Sequence, residues 1–227
     1  MVNLPPQERA PLGRLVTGMI LRTLRARFHH LEVGGATEEL PDQVIFVANH
    51  NGWHDGYVMF ALARYFGRPV LDWIAEFEAF PPFALVGGMP FPENDAAVRA
   101  TTIRKTIRIM RAERRSLILF AEGALHPGPE LLPFGGAVDL IARQVPGVRV
   151  IPVAIRYDLV FHERPVASIS VGPPLEPGPN LVARTRAAVQ LLVNQPVVGV
   201  PFFLGTRDVN ERMKPPPFVE KILRRVS

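Results

Sequence analysis

Apolar positions along this chain recur with two different periods. Between Leu12 and Phe28 the period is helical: at 100° per residue, Leu12, Leu15, Val16, Met19, Ile20, Leu21, Leu24 and Phe28 sweep one wide arc. Arg14, Arg22 and Arg25 cluster on the other side, with Arg27 the exception. Such a helix suits a lipid interface, and it equally suits packing on a core. From Gln43 onward the pattern changes to short apolar runs alternating with helical stretches. Val44–Ala48, Val70–Ala75, Ser116–Phe120, Val148–Arg156 and Val166–Val171 read as strands, several of them buried on both faces. Asp55–Tyr65, Asp95–Arg115, Ala137–Arg143 and Leu181–Asn194 read as helices, with Val98, Ile103, Ile107 and Met110 facing inward from the second.

Strands that alternate with helices predict an α/β fold: a single domain with a largely parallel sheet flanked by helices, preceded by the N-terminal amphipathic helix. A chain of 227 residues fits one such domain. The uncharged stretch Ala187–Thr206 has the length of a membrane span but holds Pro196 and Pro201, so it reads as a helix end followed by an apolar loop. Pro215, Pro216 and Pro217 then lead to a short basic helix over Phe218–Val226. Pro152, inside an apolar strand, predicts a sheet edge or a bulge.

Composition narrows the chemistry. The chain has no cysteine, which excludes disulfides, thiolate metal sites and a cysteine nucleophile. The net charge is +5 and only three of 26 basic residues are Lys, an Arg bias that fits anionic-lipid binding or a genome preference. Aromatics are 8% and no nucleic-acid-binding signature appears, so no nucleic-acid partner is expected. Residues Met1 to Pro11 are polar and proline-rich, unlike a signal peptide.

The strongest local feature is Asn49-His50-Asn51-Gly52-Trp53-His54-Asp55, where an apolar strand delivers His50 to a loop and Asp55 opens the next helix. On one continuous helix, positions five apart diverge by about 140° and could not pair. A strand–turn–helix corner lets the carboxylate reach the imidazole, fix its tautomer and stabilise imidazolium, as a general base for a hydroxyl requires. Read on spacing alone, Asp55 is equally a helix cap and His50 a loop residue; His54 is a rival base. A second feature, Phe120-Ala121-Glu122-Gly123, follows a buried strand, where ligand sites of α/β folds gather. Glu122 is placed there either to meet substrate or to order the loop. The uncharged segment Phe80–Pro92 contains Gly88 and Phe91 ahead of Asn94, and Ile151-Pro152-Val153 lies in a later strand.

In this order and spacing, these four features resemble the glycerolipid acyltransferase family, best known for lysophosphatidate acyltransferase. That family carries a His and an Asp five apart after an Asn, a Gly-x-x-Phe-x-x-Arg block, a Phe-Pro-Glu-Gly-Thr-Arg block and a Val-Pro strand. The first block is intact here; the second matches at Gly88 and Phe91, the third at Phe120, Glu122 and Gly123, and the fourth at Ile151-Pro152-Val153. The resemblance spans roughly residues 31 to 175. It implies His50 and Asp55 as catalytic residues, and Gly88, Phe91, Asn94, Glu122, Gly123 and Leu125 on the substrate side. It divides the chain into a membrane-surface helix region over residues 1–30, an acyltransferase domain over 31–210 and a basic tail over 211–227.

The resemblance implies a phospholipid- or glycerol-type O-acyltransferase that moves a fatty acyl group from acyl-CoA or acyl carrier protein to a lipid hydroxyl. No metal and no other cofactor are expected, and the place is peripheral, at the cytoplasmic face of a membrane. Three departures bear on the acceptor. Asn94 and Leu125 stand where the family has Arg, and Gly135 where a Lys is frequent. A desolvated phosphate needs charged partners, so either the acceptor lacks a phosphomonoester, as a glycolipid or glycosylated isoprenoid does, or Arg99 or Arg104 compensates. A reading of another class is a non-catalytic lipid-binding protein of the same fold.

Overall fold

Strand Val44–Ala48 shows how the sheet is built. Every residue of it is buried, and the side chains alternate between two cores: Val44, Phe46 and Ala48 join one cluster, Ile45 and Val47 the other. A strand covered on both faces has no polar side to present, which is why its sequence is a continuous apolar run. The computed structural model describes residues 5–38, 40–159 and 161–212.

Eight strands are present among these residues: β1 His30–Gly35, β2 Val44–Ala48, β3 Val70–Ile74, β4 Gly88–Pro90, β5 Ser116–Phe120, β6 Arg149–Asp158, β7 Val166–Val171 and β8 Val200–Leu204. They form one sheet in the order β4-β3-β5-β2-β6-β7-β1-β8. Pairing is parallel from β4 through β6 and between β7 and β1; β6 with β7 and β1 with β8 are antiparallel. The protein is thus a single α/β domain with a mostly parallel sheet. Among the described residues no helix separates β6 from β7, and the two strands pair antiparallel.

Two helices open the described chain, α1 over Pro6–Arg9 and α2 over Pro11–Arg27. α2 buries Val16, Ile20 and Leu24, one face at i, i+4 spacing, and Phe28 continues the line. Leu12 and Leu15 are exposed, as are Arg14, Arg22 and Arg25, so the apolar arc is divided between core and solvent. α1 is tied down by Glu8, buried beside the guanidinium groups of Arg115 and Arg64 at 3.7 and 3.3 Å. Burial nevertheless raises the Glu8 pKa and lowers that of Arg115, so desolvation outweighs the pairing.

α2 and α3 (Asp55–Tyr65) cover one face of the sheet, while α4 (Ala96–Glu113), α5 (Ala137–Gln144) and the start of α6 (Leu181–Val193) lie on the other. The stripe that α4 buries is Thr102, Thr106 and Met110; Val98, Ile103 and Ile107 are only half-buried on its flank. The threonines are tolerated because each hydroxyl is satisfied: Thr102 donates to the Pro90 carbonyl at 2.6 Å and Thr106 accepts from the Trp73 indole at 2.9 Å.

Three strands were not read from the sequence. β4 has only three residues, β1 ends on two glycines, and β8 lies within the segment expected to be a loop after α6. β8 is an edge strand, the part of a sheet where a proline such as Pro201 is tolerated, and its register with β1 is irregular beside Pro201. Pro152, by contrast, sits in the interior strand β6. Its missing N–H falls where the neighbouring chain bulges: the register slips by one residue between the Val153–Val171 pair and the Val150–Leu175 bridge. The helix expected over Phe218–Val226 lies outside the described residues. Among the described residues no helix is long and apolar enough to cross a membrane.

Candidate active site

Parallel strands β2, β3 and β5, with β6 beside them, end at one edge of the sheet, and the site is assembled there. β2 is extended by the fully buried Asn49. Its side-chain oxygen accepts from the Ile155 N–H at 2.7 Å and its amide donates to the Ile155 carbonyl at 3.0 Å, so the side chain takes the place of a backbone partner. Asn51 donates to the His126 carbonyl at 2.8 Å and joins the loop after β2 to the loop after β5.

Between these anchors, His50 Nδ1 lies 2.9 Å from Asp55 Oδ2. Asp55 is completely buried at the first position of α3, and Gly52 N–H also donates to its Oδ2, at 2.9 Å. The Tyr157 hydroxyl, from β6, donates to Oδ1. Burial, followed by the adjacent carboxylate, holds the Tyr157 pKa far above the ordinary phenol value, so this hydroxyl keeps its proton. Gly52 is required by close approach: a Cβ there would lie 2.2 Å from the Tyr157 ring. With Nδ1–H directed at the carboxylate, the neutral imidazole leaves its Nε2 lone pair free. The ring stacks on Phe120 at 4.4 Å and borders a pocket. His54, the rival base, packs instead against Phe28 and Tyr57, and burial lowers its pKa.

Glu122 is buried behind the histidine. Its Oε1 accepts from His50 N–H at 2.8 Å; its Oε2 accepts from Leu132 N–H at 2.7 Å and pairs with His126 Nε2. Of the two roles open to it, ordering the loop is the one these contacts serve. Gly123 follows at φ 73°, a backbone conformation that suits glycine.

The pocket encloses about 380 Å³. Ile20, Phe60, Phe83, Val86 and Phe120 supply apolar walls, and His50 stands among them. Gly88, Gly123 and Leu125 line it as well; Phe91, Asn94 and Glu122 do not. Phe91 backs the wall by stacking on Trp73 at 4.2 Å, while Asn94 is exposed. Neither Arg99 nor Arg104 reaches the pocket: Arg99 donates to the carbonyls of Pro92 and Glu93, and Arg104 to Thr101. Three carboxyl side chains line it, Asp72, Glu76 and Glu93, with no Lys or Arg among the described residues.

Asp72 was not anticipated from the sequence, nor was Tyr157. Asp72 Oδ2 lies 3.4 Å from where a Cβ on Gly56 would stand, and its Oδ1 is buried without a hydrogen-bond donor among the described residues. Burial pushes its pKa up to about 7, with the Trp73 backbone donor opposing. Alternation along β3 hides such a residue, since Asp in an apolar run carries no sign of which helix covers it. Tyr157 lies 102 residues from Asp55, and nothing local to either announces the contact.

A parallel sheet with a buried His–Asp pair at its carboxyl edge, beside a largely apolar pocket, defines a class of α/β protein fitted to take a proton from a bound hydroxyl. Residues 30–156 match the family model of the acyltransferases. The chain belongs to that family, the glycerolipid acyltransferases that include lysophosphatidate acyltransferase, and its general activity is acyl transfer. No curated protein matches the sequence.

Proposed function

We propose that the protein transfers a fatty acyl group from a thioester, acyl-CoA or acyl carrier protein, to a hydroxyl of a phosphate-free lipid at the cytoplasmic face of a membrane. His50 Nε2 takes the hydroxyl proton as the oxygen attacks the thioester carbonyl, and Asp55 stabilises the imidazolium that forms. Collapse of the tetrahedral intermediate expels the thiolate, which receives the proton from His50. The products are an ester and a free thiol, and no acyl-enzyme is needed. Tyr157 and Gly52 are positioning residues, holding the carboxylate toward the imidazole.

The observation that carries the choice of acceptor is the charge of the pocket. A phosphomonoester would enter a partly desolvated space bordered by Asp72, Glu76 and Glu93, with no cationic side chain to meet it among the described residues. A polyhydroxyl head group, such as the sugar of a glycolipid or glycosylated isoprenoid, would find acceptors there. Trp53 and Leu125 line the same pocket with 78% and 48% of their surface exposed, which supports entry from an apolar phase. The test is a competition between lysophosphatidate and a neutral glycolipid with one radiolabelled acyl thioester. Catalytic efficiency is expected to favour the neutral acceptor by on the order of tenfold or more, one missing charge-assisted contact being typically worth about 1.5–3 kcal/mol. A strong preference for lysophosphatidate would overturn this reading and point to Arg99 or Arg104 swinging in.

A further inference from the structure

One buried oxygen in the pocket wall has no hydrogen-bond donor. Asp72 lies in the middle of β3, between Ile118 of β5 and Gly88 of β4. Alternation along the strand places it on the side of Val70, the face that α2 and α3 cover. Its Oδ1 is buried and unpartnered among the described residues. Over the carboxyl stands Gly56, in the first turn of α3 and directly after Asp55. A Cβ on Gly56 would come within 3.4 Å of Asp72 Oδ2 and, apart from its chain neighbours, near no other side chain among the described residues. Asp72, Gly56 and Gly88 all line the pocket with His50. The other two carboxyls of the pocket, Glu76 and Glu93, are exposed, so Asp72 is the one withdrawn from solvent.

We propose that Asp72 selects the acceptor: its carboxyl hydrogen-bonds a second hydroxyl of the bound head group, beside the hydroxyl presented to His50. The inference rests on the phosphate-free acceptor proposed above and names the group within it that the pocket reads. Three kinds of occupant differ in what they offer this carboxyl. An alkyl chain would leave the buried oxygen unpaired, which disfavours it. A phosphate only accepts hydrogen bonds, and it would lie against the charges of Glu76 and Glu93. A hydroxyl both donates and accepts. Burial pushes the Asp72 pKa up to about 7, against the single opposing backbone donor at Trp73, so near neutral pH much of the carboxyl is protonated and can also do both. The open space above Gly56 leaves the approach to Oδ2 free for that hydroxyl.

The test uses the full chain, dodecyl β-glucoside with its set of monodeoxy analogues, and one radiolabelled acyl-CoA. With the unmodified protein, the analogue that lacks the acylated hydroxyl is inert. One further analogue is expected to lose at least about tenfold in kcat/KM, the effect of one buried hydrogen bond left unmade. Asp72→Leu should lose a similar factor on the parent glucoside and nothing more on that analogue, the non-additivity of two partners in one contact. Gly56→Ala, a favourable change within a helix, should give the same signature by covering Oδ2, and it serves as the test if Asp72→Leu does not fold. If every analogue that keeps its acylated hydroxyl is used as well as the parent, or if both variants lower all acceptors by one common factor, the proposal fails. Those outcomes leave the glucoside ahead of lysophosphatidate. A protein that prefers lysophosphatidate and leaves the glucoside unacylated would instead overturn the acceptor reading and this inference with it.

Discussion

His50 owes its proposed role to neighbours that hold each of its edges. Asp55 takes Nδ1, Phe120 lies against the ring face and Glu122 accepts from its backbone N–H. Removing the imidazole in His50→Ala is expected to reduce turnover by roughly 10²–10⁴-fold while leaving the thermal transition nearly unchanged. A folded variant with near-normal single-turnover rates would remove His50 from the chemistry. Asp72 makes a different prediction. Its folded pKa of about 7 stands above the ordinary carboxyl value, so between these two values the folded state binds the extra proton and stability falls as pH rises. Asp72→Asn should match the unmodified protein in Tm near pH 4 and exceed it near pH 8, as differential scanning calorimetry would read. Equal Tm values at both pH values would mean that the carboxyl is solvated. The His–Asp spacing and the residues flanking it were legible in the sequence because strand, loop and helix start are local signals. Asp72, Tyr157 and the internal contacts of Glu122 were not, because each depends on a partner far along the chain.

At the scale of elements, α2 carries two faces with separable consequences. Leu24 is wholly buried, and Leu24→Ala is expected to cost about 2–5 kcal/mol of stability, measured by denaturant unfolding. Arg14, Arg22 and Arg25 are exposed, and reversing all three to Glu should leave stability nearly intact while weakening binding to anionic vesicles, each basic residue near such a surface contributing about 1 kcal/mol. Unchanged co-sedimentation would leave the helix with only its packing role. The helical period located α2 within a residue at each end, but period alone does not distinguish a core face from a lipid face. In α4 the same reading selected Val98, Ile103, Ile107 and Met110, of which only Met110 lies in the buried stripe, beside Thr102 and Thr106. Hydrophobicity is a poor guide where a neighbouring strand offers carbonyls and an indole N–H to the hydroxyls.

Across the whole molecule, the acceptor site combines side chains from α2, α3, β3, the segment around β4 and the loop after β5. Its acidity therefore arises from assembly: Asp72, Glu76 and Glu93 are dispersed among apolar residues in the chain and converge on one space. Glu76→Gln combined with Glu93→Gln is expected to raise relative efficiency toward lysophosphatidate by on the order of tenfold, through removal of like-charge repulsion. Arg placed at Asn94 should do less, since that side chain is exposed outside the pocket. An unaltered acceptor ratio in the double variant would show that the head group binds elsewhere.

The α/β class, most strands and helices and the His50–Asp55 corner were accessible from sequence because they rest on backbone periodicity and on contacts within a few residues. Strand order, the antiparallel closure by β7 and β8, the bulge that accommodates Pro152 and the residues meeting in the pocket were settled by folding. Such features depend on which distant segments share a layer, and a one-dimensional pattern of apolar positions carries the period of each element without its partner.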